Sequence, residues 1–387
     1  MHFSSLAESL TAAKNPLYVL HEQLRREGHT VLDLVRGNVN EHGIVFPQDD
    51  LKEILSEAAD AARVYRPDPF GQEPARKAIA EYYRSPDIST NQVVVTPGTS
   101  ISYWYCFKLL AEPGDEILAP QPSYPLFDYI AKLCGVRLTA YRLVENRDWA
   151  IDLDYLEHQI STRTRAIIVI SPHNPTGMVV SEDQLHGLAE IASRHQLPIV
   201  ADEVFSEFLF GQDSLPRPAG TGAPLVFTLN GFSKMFALAG FKIGWLTVSG
   251  NSDVVRKALA ALELISDTFL PVSEIAQFAV PLIFSRGQSF LAGYRNWVTR
   301  CRTAALAGLG RCSFVEPRGG FYVTVALRDN EEAAAVRLLK ESHILVHPGY
   351  FYDIRPDHLV MTFIEEPGNV LRAFERIAQI CRHEVQL

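Results

Sequence analysis

The chain has 387 residues, 47% of them hydrophobic and 21% charged, which is enough apolar material for a large core and enough length for two domains. Its net charge of −9 is spread along the sequence, and a surface of that sign repels a phosphate backbone, so no nucleic-acid partner is expected. No apolar run approaches the roughly 20 residues of a membrane span, and the N-terminal MHFSSLAESLTAAKNPLYVL lacks the basic start, apolar core and cleavage site of a signal peptide, so no membrane partner is expected either.

In chain order, Gln92–Thr96 (QVVVT) reads as a short buried strand and Ile101–Leu110 as a helix. Asp115–Ala119 is strand-like, Tyr124–Cys134 helical and Val136–Tyr141 extended. Ala166–Ile170 (AIIVI), Pro198–Ala201 (PIVA) and Leu225–Leu229 (LVFTL) are short β-branched runs. Continuous apolar strands alternating with helices predict an α/β fold, with a mostly parallel sheet covered on both faces. Beyond about residue 270 the pattern changes. One long helical stretch is expected over Ser273–Ala307, then a strand after a tight turn at Gly319–Val323, a helix, the extended His343–His347, and a final helix near Asn369–Arg382. This predicts a smaller α+β domain. The expected division is 1–47 as an N-terminal arm contributing to the small domain, 48–272 as the large domain and 273–387 as the small one. The scattered Cys106, Cys134, Cys301, Cys312 and Cys381 contain no CxxC pair and read as reduced thiols of a cytoplasmic protein.

Ligands of open α/β sheets bind where the carboxyl ends of the strands form a crevice. AIIVI runs into Ser171-Pro172-His173-Asn174-Pro175-Thr176-Gly177, PIVA into Asp202-Glu203, and LVFTL into Asn230-Gly231-Phe232-Ser233-Lys234. An amide, a carboxylate and a lysine therefore stand at three successive strand ends. Alone, each has an ordinary explanation: a turn, a helix cap, a solvated charge. Together they point to one site.

With Tyr65…Gly71, Gly98-Thr99-Ser100, Pro113-Gly114-Asp115, Pro122-Ser123-Tyr124 and Ser233-Lys234…Gly240…Gly244-Trp245, these segments resemble the class I/II aminotransferase family of fold-type-I pyridoxal-phosphate (PLP) enzymes over essentially the whole chain. The resemblance implies PLP held as a Schiff base on Lys234, which then serves as general base. It implies Asp202 paired with the pyridine nitrogen, Asn174 on the phenolic oxygen and Tyr124 stacked on the ring. Gly98, Thr99 and Ser100 at a helix N-terminus would hold the phosphate, completed by Ser233 and Lys242. Tyr65 would arrive from a second subunit of a homodimer. The substrates implied are an amino acid and a 2-oxo acid, and no metal is called for.

Departures from the family pattern stand out at four positions. Lys242 occupies a position where arginine is usual, and Gly231 one where serine is usual. Phe205 stands where a tyrosine commonly donates to the phenolic oxygen, which is expected to keep the imine protonated to higher pH. Val360, in His358–Phe363, stands where relatives carry the arginine that clamps the substrate carboxylate. Arg36, His42, Arg318, Arg355 and His347 are candidates to replace it, Arg355 also as the missing group itself under a shifted alignment. A substrate without a carboxylate in the usual place, such as an ω-amine, is the further reading. The loop Arg36–Gly43 has the Gly-flanked polar character of a mobile lid. A PLP lyase or cyclase on the same scaffold, and a non-catalytic PLP-binding module, are the rival functions. The second would need a DNA-binding domain for which the chain has no room.

Overall fold

The computed structural model describes residues 2–9, 14–328, 330–354 and 357–382. Its large sheet has eight strands: β1 (Val93–Thr96), β2 (Glu116–Gln121), β3 (Arg137–Val144), β4 (Ala150–Ile151), β5 (Thr164–Ile170), β6 (Ile199–Asp202), β7 (Leu225–Gly231) and β8 (Gly244–Gly250). Their spatial order is β1-β8-β7-β6-β5-β2-β3-β4. The central run β7-β6-β5-β2-β3 is parallel throughout, as the unbroken apolar strands predict.

Alternation along β5 shows why both faces must be covered. Ile167 and Val169 join one core, which includes Leu185, Leu188 and Ala192 of helix Glu182–His195. Ala166, Ile168 and Ile170 join the other, which includes Tyr103 and Phe107 of helix Thr99–Leu110 and Val255 and Leu262 of helix Ser252–Asp267. Each such fully buried aliphatic or aromatic side chain contributes about 1.5–3 kcal/mol. Local signals agree with the packing. Helix Glu182–His195 opens on a capping box between Ser181 and Gln184, and ends where Gln196 turns left-handed at φ 53°.

A second, smaller sheet holds β9 (Ser313–Phe314), β10 (Tyr322–Ala326), β11 (His347–Pro348) and β12 (His358–Thr362) in the order β9-β10-β12-β11, all antiparallel. The N-terminal arm is tied to this half. Leu32–Asp33 pairs in parallel with Ile344–Leu345, and the Thr362 amide donates to the Leu34 carbonyl at 2.7 Å. The long helix expected over Ser273–Ala307 is two helices, Glu274–Arg286 and Gln288–Leu309. They part at Gly287, where an added Cβ would lie 2.7 Å from the Ile283 carbonyl and 2.8 Å from the Phe236 ring. A gap of one glycine inside an apolar pattern leaves no periodicity signal, so the sequence reads as continuous.

Strand β8 decides where the site forms. It runs antiparallel to β1 and β7, so its first residue lies beside their last ones: Gly244 is level with Thr96 and with Gly231. The chain entering β8 therefore meets the chain leaving β1 and β7. The contact is tight. A Cβ on Gly244 would fall 2.7 Å from Gly98 Cα, and one on Gly231 would fall 2.8 Å from the Ile243 carbonyl, which explains why no serine side chain stands at 231. Gly244→Ala is expected to cost about 1–3 kcal/mol in denaturant unfolding, because rigid backbone must move. Gly240→Ala, with no atom within 4 Å of its added methyl, is the control and should be near neutral.

Candidate functional site

The carboxyl ends of β5, β6 and β7 are level, with Ile170 opposite Asp202 and Asp202 opposite Leu229. The segments leaving them carry Asn174, Asp202 and Lys234 around one cavity of about 140 Å³. Thr99, Ser100, Tyr124, Phe205 and Ser233 line it as well. Of the residues predicted from the sequence, all but Gly98, Lys242 and Tyr65 are thus brought together in its lining. Strand alternation sorts the two adjacent carboxylates. Asp202 faces the cavity, while Glu203 points away into an ion pair with Arg217 at 2.8 Å.

Asp202 is a carboxylate held out of water. Its Oδ1 accepts the Val204 amide at 2.9 Å, and its Oδ2 accepts the Tyr103 hydroxyl at 2.9 Å. Burial nevertheless dominates these two hydrogen bonds and lifts its pKa from 3.8 to about 6. Lys234 is displaced in the opposite sense. Burial alone pulls its ammonium down to about 8, even though part of the side chain faces the open cavity. The Phe205 ring, 5.9 Å from Nζ, adds apolar surroundings, and Nζ donates to the Gly37 carbonyl at 3.0 Å. Near neutral pH such a lysine is a more available nucleophile than a solvated one. Asn174 is buried with its Oδ1 unpartnered, so hydrogen-bonding capacity is unspent at the cavity wall.

A helix N-terminus with the chemistry to receive an anion lies at the close crossing of β1 and β8. Gly98 adopts φ 111° and caps helix Thr99–Leu110, whose first amides are free of intrahelical partners. Lys242 Nζ is 3.8 Å from where a Gly98 Cβ would be, so a side chain at 98 would crowd that space. An aldehyde-seeking lysine, a buried carboxylate for a ring nitrogen, an unspent amide and an anion cradle form a donor set that suits PLP.

A family model described as aminotransferase class I and II matches residues 36–377. The chain belongs to that family. It is 29% identical over 383 residues to the glutamate-pyruvate aminotransferase AlaA of Escherichia coli K12, covering 95% of this chain and 94% of that one. It is also 29% identical to an alanine aminotransferase of Mycobacterium bovis, with 97% and 91% covered. A crystal structure of an aminotransferase from Escherichia coli superposes with a TM-score of 0.87 at 27% identity, over the full length of both chains. The protein is a PLP-dependent aminotransferase of the fold-type-I class, and the α/β reading holds. No helix among the described residues is long and apolar enough to cross a membrane.

Tyr65 falls elsewhere, and so does the position where the family's arginine is usual. Tyr65 is 72% exposed and lines a different hollow, beside Gly71 and Gln277, so it does not join the cavity of its own chain. Val360 is buried between Thr324 and His347 of the small sheet and belongs to the main apolar core. Conversely, the sequence offers Tyr103 only within an aromatic group (Tyr103, Trp104, Tyr105, Tyr350, Phe351 and Tyr352) that suits pocket lining and core packing equally, and it does not single out Tyr322. Tyr103 holds Asp202, and its position one helical turn beyond Thr99 was the available signal. Tyr322 lines the cavity beside Asn174, and burial raises its hydroxyl pKa.

The sign of the Asp202 shift makes a prediction for the cofactor-free protein. A carboxyl whose folded pKa is raised contributes stability that is complete below 3.8 and lost as pH rises through about 6. Asp202→Asn, which does not titrate, should therefore gain on wild type between about pH 3 and pH 7, by up to about 3 kcal/mol. Parallel stability curves for the two proteins would refute the buried charge. With PLP bound the order should reverse, because the amide cannot hold a ring nitrogen protonated.

Proposed function

We propose that the enzyme transfers an amino group from an amino acid to a 2-oxo acid at this cavity, with Lys234 as its reactive group. The convergence of Lys234, Asp202 and Asn174 on one enclosed space supports the reading most directly. Bound PLP supplies an electron sink for the pair released at the donor's α-carbon. Lys234 would bond the cofactor's aldehyde, and its free ε-amine would move the proton at that carbon. Asp202, oriented by Tyr103 and the Val204 amide, would keep the ring nitrogen protonated. Asn174 would hydrogen-bond the ring oxygen, and Tyr124 would cover the ring face. Gly98, Thr99, Ser100, Ser233 and Lys242 would hold the phosphate. Phe205 offers no hydroxyl and keeps water from Nζ.

The functional unit in this proposal is a cytoplasmic homodimer, in which the exposed Tyr65 reaches the partner's phosphate site. Residues 48–272 act as the cofactor-binding domain, and 1–47 with 273–387 as the smaller domain beside it. Mixing two variants tests the shared site. Lys234→Ala alone should lose at least about 10³-fold in amino transfer. Tyr65→Ala alone should need about 10- to 100-fold more PLP, for one lost charge-assisted hydrogen bond. Random mixing places one intact site in each heterodimer and should restore about a quarter of wild-type activity at limiting PLP. No recovery after verified subunit exchange would show that Tyr65 does not serve across the interface.

A further inference from the structure

An amino acid and a 2-oxo acid share a carboxylate, and a substrate is aligned for proton transfer when that group is gripped by a fixed cation. The cavity wall lacks such a cation. Among the described residues lining it, Lys234 is the only positive group, and it is committed to the chemistry. Position 360 is an apolar valine packed in the core. Of the other basic side chains considered for the role, His42 is locked to Glu365 at 3.0 Å and Arg318 pairs with Asp148 at 3.1 Å. His347 is held between the hydroxyls of Tyr18 at 2.6 Å and Tyr352 at 3.1 Å, and burial lowers its pKa to about 4, so it is neutral at pH 7. Arg355 lies outside the described residues.

Arg36 differs from all of these in where its backbone is fixed. On one side, Leu34 is clamped into the small domain. Its amide donates to Leu345 at 3.0 Å, and its carbonyl accepts from Thr362 at 2.7 Å. On the other side, Gly37 places its carbonyl 3.0 Å from Lys234 Nζ. A Cβ on Gly37 would lie 3.2 Å from the Tyr322 hydroxyl and 3.5 Å from Nζ, so the loop presses against the reactive amine. Asp33 sets the turn between these anchors. Its Oδ1 accepts the amides of Val35 and Arg36 at 2.9 and 3.1 Å, while its Oδ2 meets Arg36 Nε at 3.3 Å. That contact uses the inner edge of the guanidinium. The terminal nitrogens, on a side chain 59% exposed, keep the end-on fork that matches a carboxylate. The guanidinium also acts on the Tyr18 hydroxyl, whose pKa it lowers against the larger effects of burial and Asp33.

We propose that Arg36, aimed by Asp33 from the N-terminal loop, binds the carboxylate of both the amino donor and the 2-oxo acid. The assignment rests on the aminotransferase reading of the cavity and names its substrate-specificity residue. Arg36 touches substrate only through this ion pair. Asp33 is a positioning residue.

The test uses the PLP-loaded enzyme, the fastest donor in a panel of L-amino acids, and the amine that lacks only that donor's carboxylate. For Arg36→Gln, kcat/KM for the amino acid should fall at least about 100-fold, the loss typical of one buried charged pair. Reaction with the amine should stay within about threefold. The visible cofactor band and the PLP dissociation constant should not change, and Arg36→Lys should recover part of the loss. Asp33→Asn should give a smaller rise in KM with little change in kcat. An equal loss on amino acid and amine, or unchanged discrimination between them, would overturn the proposal. Binding of the donor's deamino acid, read from the cofactor spectrum, separates the two levels of inference. If wild type transfers no amino group yet binds this acid in an Arg36-dependent way, the aminotransferase reading fails and the carboxylate site stands.

Discussion

Two opposite charges are buried at one end of a parallel sheet, and among the described residues neither has an ion-pair partner. Asp202 and Lys234 each give up water, and burial is the largest influence on both. The carboxyl is driven up to about 6 and the ammonium down to about 8, so each approaches its neutral form near neutral pH. That displacement is the condition for the chemistry. A cofactor with a basic ring nitrogen stabilises the carboxylate, and an aldehyde converts the amine to a bonded form. The protein stores an unfavourable state that its ligand relieves.

The surrounding structure serves to hold these two groups apart and aligned. Parallel strands β5, β6 and β7 bring three carboxyl ends level, and alternation sends Asp202 inward while Glu203 leaves for Arg217. The reversal of β8 then brings Lys242 and the Gly244 crossing to the same edge as Gly98, which closes the anion end. Tyr103 connects helix Thr99–Leu110 to Asp202, so one element both presents its free N-terminal amides to the cavity edge and orients the buried carboxylate. The N-terminal loop completes the enclosure, through the Gly37 carbonyl at the reactive amine.

Much of this was legible in the residues because it follows from local rules. Short β-branched runs gave the parallel sheet, and functional groups just beyond them gave Asn174, Asp202 and Lys234. What escaped depended on long-range geometry. The direction of β8 is invisible in GWLTVSG, because a buried strand reads alike in either sense. Tyr103 suits pocket lining and core packing equally in the sequence, and only the fold shows that its hydroxyl ends at Asp202. Arg36 stood as one of several candidate cations until the pairings of His42, Arg318 and His347 distinguished it. The break at Gly287 was missed for the same reason, being set by the Phe236 ring against it.

The most direct measurement is to reduce the PLP-loaded protein with borohydride and map the attached pyridoxyl group by peptide mass spectrometry. The account predicts a single modified peptide carrying Lys234, at one group per chain, with Lys242 unmodified. A label on Lys242, or one distributed over solvent-exposed lysines, would contradict it.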